Sequence, residues 1–403
     1  MQLHSTGGVD DGRLLRWTDE RGEPLPVSAE PSASVPPAAA GVAYPIALEG
    51  VGRVYLWAEL TTGRTSTPLE QRFAAHYLRA ANALIKRYGA RGVAMEAAQA
   101  HWQVAQAHQS AQQWQASLAA SVLAAEQSVI ALARARLQRL NGRLAFLWGV
   151  HTADASAAEI SLSRLTPPLN CLHSWLTGAD TSWERAFGQA QSQRLALSAA
   201  VCPSAKGRVA PCEALGEALN TYRGRVRYWT VTTDVQELTV EPQVIDALAE
   251  LSVAARAADG GIVRALHGRF SWYANCSPYP LLERCVDAGV PFETIQLEWH
   301  WYDGTLYDFD ELLERFGELG KPIYLLLAPP PTSGWNDFSR ATPEAWTEAA
   351  SVIALSKPFV SALYVPLTAG ESWAGALDAD GSVGSAWRAI ARVVEWNRAL
   401  LRE

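Results

Sequence analysis

Three ionisable side chains stand where apolar runs of the sequence end. Asp234 follows the run 228–232, YWTVT, and Glu298 and His300 close the run 294–300, TIQLEWH. Residues two apart in a strand point to the same face, so Glu298 and His300 are expected to lie side by side. A carboxylate beside an imidazole can form an acid/base couple or one arm of a metal site. The structural alternatives are a hydrogen-bonded pair without chemistry and an Asp234 that caps its own turn.

The elements that would carry these residues recur regularly from Arg143 onward. Apolar runs alternate with helical segments, and the predicted strands cover 144–150, 168–172, 194–201, 226–232, 269–274, 294–300, 322–328 and 359–367. Eight strand–helix repeats within 143–403 match the size and pattern of a (β/α)8 TIM barrel. The runs are continuously apolar, as expected of parallel strands covered on both sides. A doubly wound open sheet is the alternative, but WGVHTADAS after the first run lacks a glycine-rich phosphate-binding turn.

Two of the predicted barrel helices have recognisable starts. Asp308 and Glu311 form a predicted capping box for the helix 308–320. Thr342 is the predicted cap of the helix after the seventh strand, with Pro343 at its first position. Both starts favour the alternation of strands and helices that a barrel requires.

Two different kinds of sequence precede the barrel. Residues 1–65 contain three short strand candidates separated by turn-forming residues, which predicts a small β-rich segment. Residues 66–140 form a predicted helical connector, in which 95–140 has no proline or glycine and favours one or two long helices folded back on each other. Its histidines are expected on helix surfaces; they are His76, His101 and His108.

Composition excludes several classes of function. The 403 residues carry a net charge of −7 with no block of Lys or Arg, so neither nucleic acid nor an anionic membrane is an expected partner. The five cysteines include no C-x-x-C pair, which argues against a zinc site and a disulfide framework. No cofactor is expected. Since neither a signal peptide nor an apolar stretch of about 20 residues is visible, we expect a soluble, cytoplasmic protein. A secreted form trimmed of its leader is the alternative.

In a barrel of this kind the active site lies at the C-terminal ends of the strands. Besides Asp234, Glu298 and His300, the polar candidates there are His151, Asp154, His173, Cys202, Asn275, Cys276 and Glu371. Sixteen tryptophans suit either a large core or a platform that stacks on sugar rings. The predicted ligand-binding aromatic residues are Trp175, Trp301, Tyr302, Trp335, Tyr364 and Trp373.

Three segments of the barrel resemble glycoside hydrolase family 10, the endo-1,4-β-xylanases. Residues 222–235, YRGRVRYWTVTTDV, look like the family segment Tyr-x-Gly-x-x-x-x-Trp-Asp-Val-Val-Asn-Glu, which ends in the acid/base glutamate. Residues 295–334 resemble a strand of the type Gly-Leu-Gln-x-His, a helix, and a strand of the type Pro-Ile-His-Ile-Thr-Glu-Leu-Asp. Residues 376–394 are similar to the closing segment, and 118–140 to the helical lead-in of a divergent bacterial branch.

The resemblance implies that the family's catalytic pair is missing. It places Asp234 at the acid/base glutamate, Thr233 at the preceding asparagine, and Leu327 at the nucleophile. Retaining hydrolysis needs two carboxylates about 5–5.5 Å apart, and a leucine cannot form the glycosyl-enzyme. The resemblance therefore favours a non-hydrolysing pseudo-glycosidase that binds a saccharide or polyol, or an interaction scaffold.

Two alternatives remain open. In the first, an enzyme with rebuilt acid/base chemistry uses Asp234, Glu298 and His300 in the old cleft, as an altered glycoside hydrolase or for another reaction. In the second, the chain is a structural subunit that pairs with a protein partner or with itself through the helices of 66–140.

Overall fold

The computed structural model describes residues 14–25, 36–60, 68–165, 168–176, 181–201, 212–328, 343–368, 375–378 and 380–402. Eight parallel strands close into a barrel in which the last strand pairs with the first. The strands are β4 (Leu147–Thr152), β5 (Cys171–Leu176), β6 (Ala196–Val201), β7 (Tyr228–Thr232), β8 (Val263–Phe270), β9 (Thr294–His300), β10 (Ile323–Ala328) and β11 (Val360–Pro366). The predicted (β/α)8 barrel is therefore confirmed.

A helix follows each barrel strand. These helices are α4 (Ala155–Ser161), α5 (Glu184–Ser192), α6 (Cys212–Thr221), α7 (Pro242–Ala258), α8 (Tyr279–Asp287), α9 (Leu306–Gly317), α10 (Pro343–Ser356) and α11 (Ser385–Leu400). The helix α10 begins at Pro343 as predicted, and Thr342 lies outside the described residues.

The predicted cap of α9 is wrong by one turn. Thr305, not Asp308, is the N-cap: its hydroxyl accepts the Asp308 backbone N–H, and the Asp308 carboxylate accepts the Thr305 N–H. Glu311 takes no part in this capping box. The box forms earlier because Thr305 and Asp308 are themselves spaced as a cap and its third helical residue.

The predicted fifth strand, 269–274, is also wrong. The strand β8 runs from Val263 to Phe270, and the chain then turns, with Asn275 at a φ of 53° and a backbone bridge between Ser271 and Cys276. Asn275 and Cys276 therefore do not end a strand. His267 and Arg269 lie at the C-terminal end of β8 instead, where polar residues can face the barrel mouth.

A small antiparallel sheet and three helices precede the barrel. The sheet has the order β1 (Arg16–Thr18), β2 (Gly41–Leu48) and β3 (Gly52–Glu59), and the helices are α1 (Leu69–Gly89), α2 (Glu96–Ser110) and α3 (Trp114–Arg139). The proline-free stretch 95–140 thus forms two helices, α2 and α3, which pack on each other.

The preceding sheet and helices lie against the barrel near the ends of β8 and β9. The Tyr55 N–H donates to the Tyr302 carbonyl at 2.8 Å, and the Arg16 guanidinium donates to the Trp272 and Tyr273 carbonyls. The helix α3 is long and apolar enough to cross a membrane, contrary to the expectation that no such stretch exists, but 72% of its apolar window is buried inside the protein. Packing against α1, α9 and α10 accounts for its apolar composition.

Candidate functional site at the barrel mouth

Glu298 lies at the centre of the barrel mouth, between two histidines. Its Oε2 is 3.3 Å from His267 Nε2 on the neighbouring strand β8, and its Oε1 is 3.0 Å from His300 Nε2 on its own strand. Glu298 and His300 thus share the inner face of β9, as their spacing predicts. The Glu298 side chain keeps 17% of its surface exposed, so a ligand in the mouth can reach it.

The hydrogen bonds assign the protons of this cluster. The Asp234 backbone N–H donates to His267 Nδ1 at 3.3 Å, so the His267 proton sits on Nε2 and points at Glu298. Burial alone would raise the pKa of Glu298, but hydrogen bonds from His267 and His300 outweigh burial and hold that pKa well below its usual range. Glu298 is therefore an ionised hydrogen-bond acceptor at neutral pH, which does not suit a general acid.

Asp234 occupies the rim next to this cluster. Its backbone is left-handed, with a φ of 53°, a conformation that Asp and Asn tolerate better than other residues with side chains. Its carboxylate accepts a hydrogen bond from Gln236 Nε2 at 3.1 Å and makes no cap to the backbone of the following turn. The predicted turn-capping role is therefore wrong, and the backbone conformation gives the residue type its structural reason.

His151 and His173 have separate surroundings. His151 Nε2–H donates to the Leu327 carbonyl at 3.1 Å. The residue is mostly buried, and burial lowers the pKa of its ring, so Nδ1 is a neutral acceptor. His173 is fully buried deeper in the barrel, bonded to Ser198 Oγ at 2.7 Å and Gln296 Nε2 at 3.1 Å. The prediction that His173 belongs to the mouth is wrong.

Asp154, another strand-end candidate, has a structural role. Its carboxylate accepts the backbone N–H groups of Ser156 and Ala157 and so caps α4. Cys202 and Glu371 lie outside the described residues.

The strand β10 offers no carboxylate to the mouth. Leu326 pairs with Glu298 and Ala328 with His300, so these two residues share the inner face. Leu327, the residue predicted at the nucleophile position, points the other way, into the core between strands and helices, and so does not face the mouth. The inward positions nevertheless hold Leu326 and Ala328, neither of which can act as a nucleophile.

Three of the four predicted platform residues that the structure describes are buried. The fourth, Trp175, is partly buried and meets His173 and His267 edge-on, with ring centroids 4.9 and 5.2 Å apart. Trp301 and Tyr302 are each 1% exposed, and the Tyr302 ring stacks on His300.

Tyr364 is fully buried and fills the space over Gly149, bonding to Cys171 Sγ at 3.3 Å. Trp301, Tyr302 and Tyr364 are therefore not a sugar platform. Trp335 and Trp373 lie outside the described residues.

His267 and Arg269 are the site residues that the sequence did not reveal. Arg269 pairs with Glu298 in the β8–β9 ladder, and its charge interacts favourably with Glu298, although burial opposes it. The Arg269 Nε is buried and has no hydrogen-bond partner among the described residues. The available signal was the spacing of two between His267 and Arg269, which repeats that of Glu298 and His300.

The cluster does not form a metal centre in the described part of the chain. Histidines 151, 267 and 300 and Glu298 lie at the mouth, but no three His, Cys, Asp or Glu side chains there converge as metal ligands do. Two of these imidazoles already direct their N–H groups at Glu298, which leaves that carboxylate to accept hydrogen bonds from a ligand.

Comparison with known proteins finds likeness in three-dimensional structure. No family model matches the sequence, and no curated protein matches it. Xylanase 10B from Thermotoga petrophila RKU-1, solved with xylobiose, is 17% identical, with a TM-score of 0.46 over 66% of this chain and 97% of that one. The Thermobacillus composti GH10 xylanase is 12% identical, with a TM-score of 0.49 over 62% of this chain and 96% of that one. These likenesses concern the fold alone.

Proposed function

We propose that the barrel mouth binds a saccharide or another polyol and does not hydrolyse it. The observation that carries this proposal is Glu298, an ionised carboxylate held between two imidazole N–H groups and still exposed to the mouth. A carboxylate has about four lone-pair positions, and the two histidines use two of them. The remaining positions suit hydroxyl donors from a ligand.

The surrounding groups complement a polyol. His151 Nδ1 is an acceptor, Arg269 is a cation with a buried donor lacking a partner, and Trp175 offers an aromatic ring at the same opening. Hydroxyl groups both donate and accept, and sugar C–H faces pack on aromatic rings. A mouth with acceptors, a donor and one indole therefore favours a small polyhydroxylated ligand.

The same geometry argues against retaining hydrolysis. That reaction needs an acid with a raised pKa and a second carboxylate as nucleophile. The pKa of Glu298 is lowered instead, and the inward positions of β10 carry Leu326 and Ala328. Asp234 is the remaining candidate acid, and its carboxylate is engaged by Gln236.

The two other candidate functions receive less support. Rebuilt acid/base chemistry by Asp234, Glu298 and His300 needs an acidic proton or an open nitrogen among these three, but Glu298 is ionised between two imidazoles, the Asp234 carboxylate is bonded to Gln236, and His300 is buried. Pairing through the helices of 66–140 needs an exposed apolar stripe. Among the described residues of that region, the large apolar side chains classed as exposed are Val104 and Leu140.

Calorimetric titration with xylobiose, xylotriose and xylitol tests the proposal. We expect wild type to bind at least one of them, and Glu298→Gln and Trp175→Ala to weaken that binding about tenfold or more. Glu250→Gln, on the exposed face of α7, is the matched control and should bind as wild type does. Absence of binding by wild type to every probe overturns the proposal.

Prolonged incubation with xylan, with products read by mass spectrometry, tests the non-hydrolytic part. Wild type and Asp234→Ala should both leave the polymer intact. Products made by wild type and lost in Asp234→Ala would establish rebuilt hydrolysis instead.

A further inference from the structure

A second cavity, of about 380 Å³, lies on the other side of β9 from the barrel mouth. Glu298 and His300 face the mouth, whereas Trp299 faces this cavity between the N-terminal sheet, α1 and α9. Its volume falls within the range of small-molecule sites. None of its lining residues belongs to the cluster at the barrel mouth.

Aromatic rings form the floor of the cavity. Trp299 is fully buried and stacks on Phe270, with ring centroids 5.6 Å apart. Trp57 Nε1–H donates to Thr18 Oγ1 at 2.7 Å, and Trp272 Nε1–H donates to the Gly22 carbonyl at 2.9 Å. Because these indoles are held by hydrogen bonds and packing, the floor is formed before any ligand arrives.

The rim of the cavity is negatively charged. Four carboxyl groups line it, those of Glu20, Glu59, Glu311 and Glu318. Glu311 is exposed as a residue, but its carboxyl group lies against the protein, and this burial raises its pKa to about 7. The exposed cation among the lining residues is Arg21, which also lies 3.9 Å from Glu283. Arg315 forms an ion pair with Glu23 at 2.9 Å and lies over the Phe270 ring, so its charge is compensated within the protein.

The wall of the cavity carries four buried polar atoms without a hydrogen-bond partner among the described residues. They are His76 Nε2, Trp299 Nε1, and Nε and Nη2 of Arg315, the last of which lies in the ion pair with Glu23. His76 was expected on a helix surface, but it packs edge-on against Trp57, Tyr77 and Tyr307. A buried polar atom without a hydrogen-bond partner destabilises the folded state. Fold stability therefore gives no reason for leaving these atoms unpaired.

We propose that this cavity binds a small organic cation of the ammonium class. An ammonium group is attracted to the faces of Trp and Tyr rings, most strongly where water is excluded. The four rim carboxylates add attraction for the same charge and repel anions. A neutral sugar would gain from the rings alone, while the carboxylates would remain without a counter-charge.

Calorimetry with choline chloride and its neutral isostere 3,3-dimethylbutan-1-ol separates charge from shape. We expect choline or the second probe, spermidine, to bind about tenfold more tightly than the isostere, and added salt to weaken the binding. The double variant Glu59→Gln/Glu311→Gln should lose about three- to tenfold in affinity for the cation, whereas the control Glu250→Gln should not. Xylobiose at saturation should leave cation affinity unchanged, because the two sites lie on opposite faces of β9.

The proposal is overturned if neither choline nor spermidine binds, or if choline and its isostere bind with equal affinity. It is also overturned if the double variant binds the cation as tightly as wild type does. Competition between xylobiose and choline would overturn it as well, since the cation would then occupy the barrel mouth. Failure of the barrel-mouth proposal alone would not affect the titration with cations.

Discussion

His267 and Glu298 face each other across the β8–β9 ladder, with Nε2 and Oε2 3.3 Å apart. The other nitrogen of the same ring accepts the Asp234 backbone N–H, so the imidazole connects the ends of three strands, β7, β8 and β9. Glu298 receives a second imidazole from His300, and the carboxylate is oriented from both sides. The barrel mouth is therefore preorganised around an acceptor, which favours recognition of a hydroxylated ligand.

Replacing this acceptor should also change stability. In Glu298→Gln, one end of the side chain becomes an NH2 donor that faces an imidazole N–H, which leaves two donors opposed. We expect the free energy of unfolding to fall by about 1–3 kcal/mol in urea denaturation. Glu250→Gln should leave it within about 0.5 kcal/mol of wild type. An unchanged midpoint for Glu298→Gln would contradict the two hydrogen bonds.

Substitution of the buried cation Lys357 should lower stability more than Glu298→Gln does. Its Nζ is 2.6 Å from Asp310 and 2.6 Å from Glu314, and its side chain has no exposed surface. Removing one partner of a buried ion pair leaves the other uncompensated, so Lys357→Met should lower the free energy of unfolding by about 3–5 kcal/mol. Adding Asp310→Leu to Lys357→Met should restore part of the loss.

The control for Lys357 is an exposed ion pair on the same side of the barrel. Arg392 lies 2.7 Å from Glu344, with both side chains more than a third exposed. Arg392→Met should cost less than about 1 kcal/mol. Equal losses in the two methionine variants would show that burial of the Lys357 charge does not matter.

His76 should make stability depend on pH. Burial lowers the pKa of His76 to about 4, whereas an unfolded histidine titrates near about 6.5. The unfolded chain therefore binds the proton first, and this contribution is fully present above about pH 6.5 and lost as the pH falls to about 4. We expect His76→Phe to remove up to about 3 kcal/mol of this acid destabilisation, measured by urea denaturation at pH 4.5 and 7.5. An unchanged pH dependence in His76→Phe would contradict this effect of burial.

The sequence located β9 and β10 closely but displaced β5 and β8. The predicted run 168–172 meets β5 only at Cys171 and Leu172, and 269–274 meets β8 only at Arg269 and Phe270. The run 294–300 coincides with β9, and 322–328 begins one residue before β10. The strand β8 contains Arg264, His267 and Arg269, whose favourable partners come from other elements. The sequence around β8 does not show those partners. The apolar residues just after Phe270 therefore looked more like a strand than β8 itself did.

Side-chain direction was harder to predict than strand position. The run Leu325–Ala328 is apolar on both faces, so alternation could not show that Leu326 rather than Leu327 points inward. Trp301 and Tyr302 follow a strand end, where exposure is expected, but the N-terminal sheet covers them through the Tyr55–Tyr302 hydrogen bond. Burial by a segment almost 250 residues away is not visible in the local sequence.

Gly149 should be intolerant of any side chain. A Cβ there would lie 2.3 Å from Tyr364 Cδ1 and 3.0 Å from the Cys171 carbonyl. We expect Gly149→Ala to lower the free energy of unfolding by about 1–3 kcal/mol, because a ring packed inside the barrel must move. Gly188→Ala, exposed within α5 with no atom within 4 Å, should instead gain about 0.5–1 kcal/mol. A loss of similar size in both variants would refute the close approach of Tyr364.

Cation binding in the second cavity should strengthen as the pH rises from 6 to 8. Burial and the neighbouring carboxylate of Asp310 raise the pKa of Glu311 to about 7, so this side chain is mostly neutral at pH 6 and ionised at pH 8. The other charged or titratable groups that face it are Asp308, Glu314, Lys357, Tyr307, Glu59 and His76. Of these, Asp308 has its pKa raised to about 6 and His76 has its pKa lowered to about 4, so neither changes charge as much across this interval.

A bound ammonium group favours the ionised form of Glu311, so binding should release a proton near pH 7. We expect choline affinity to rise about three- to tenfold between pH 6 and 8, with heats that depend on the ionisation enthalpy of the buffer. In Glu311→Gln, both the pH dependence and the buffer dependence should shrink to the part contributed by Asp308 near pH 6, while Glu250→Gln should retain them in full. An affinity that is flat with pH in wild type would mean that Glu311 does not contact the cation, and would place the bound charge elsewhere in the cavity.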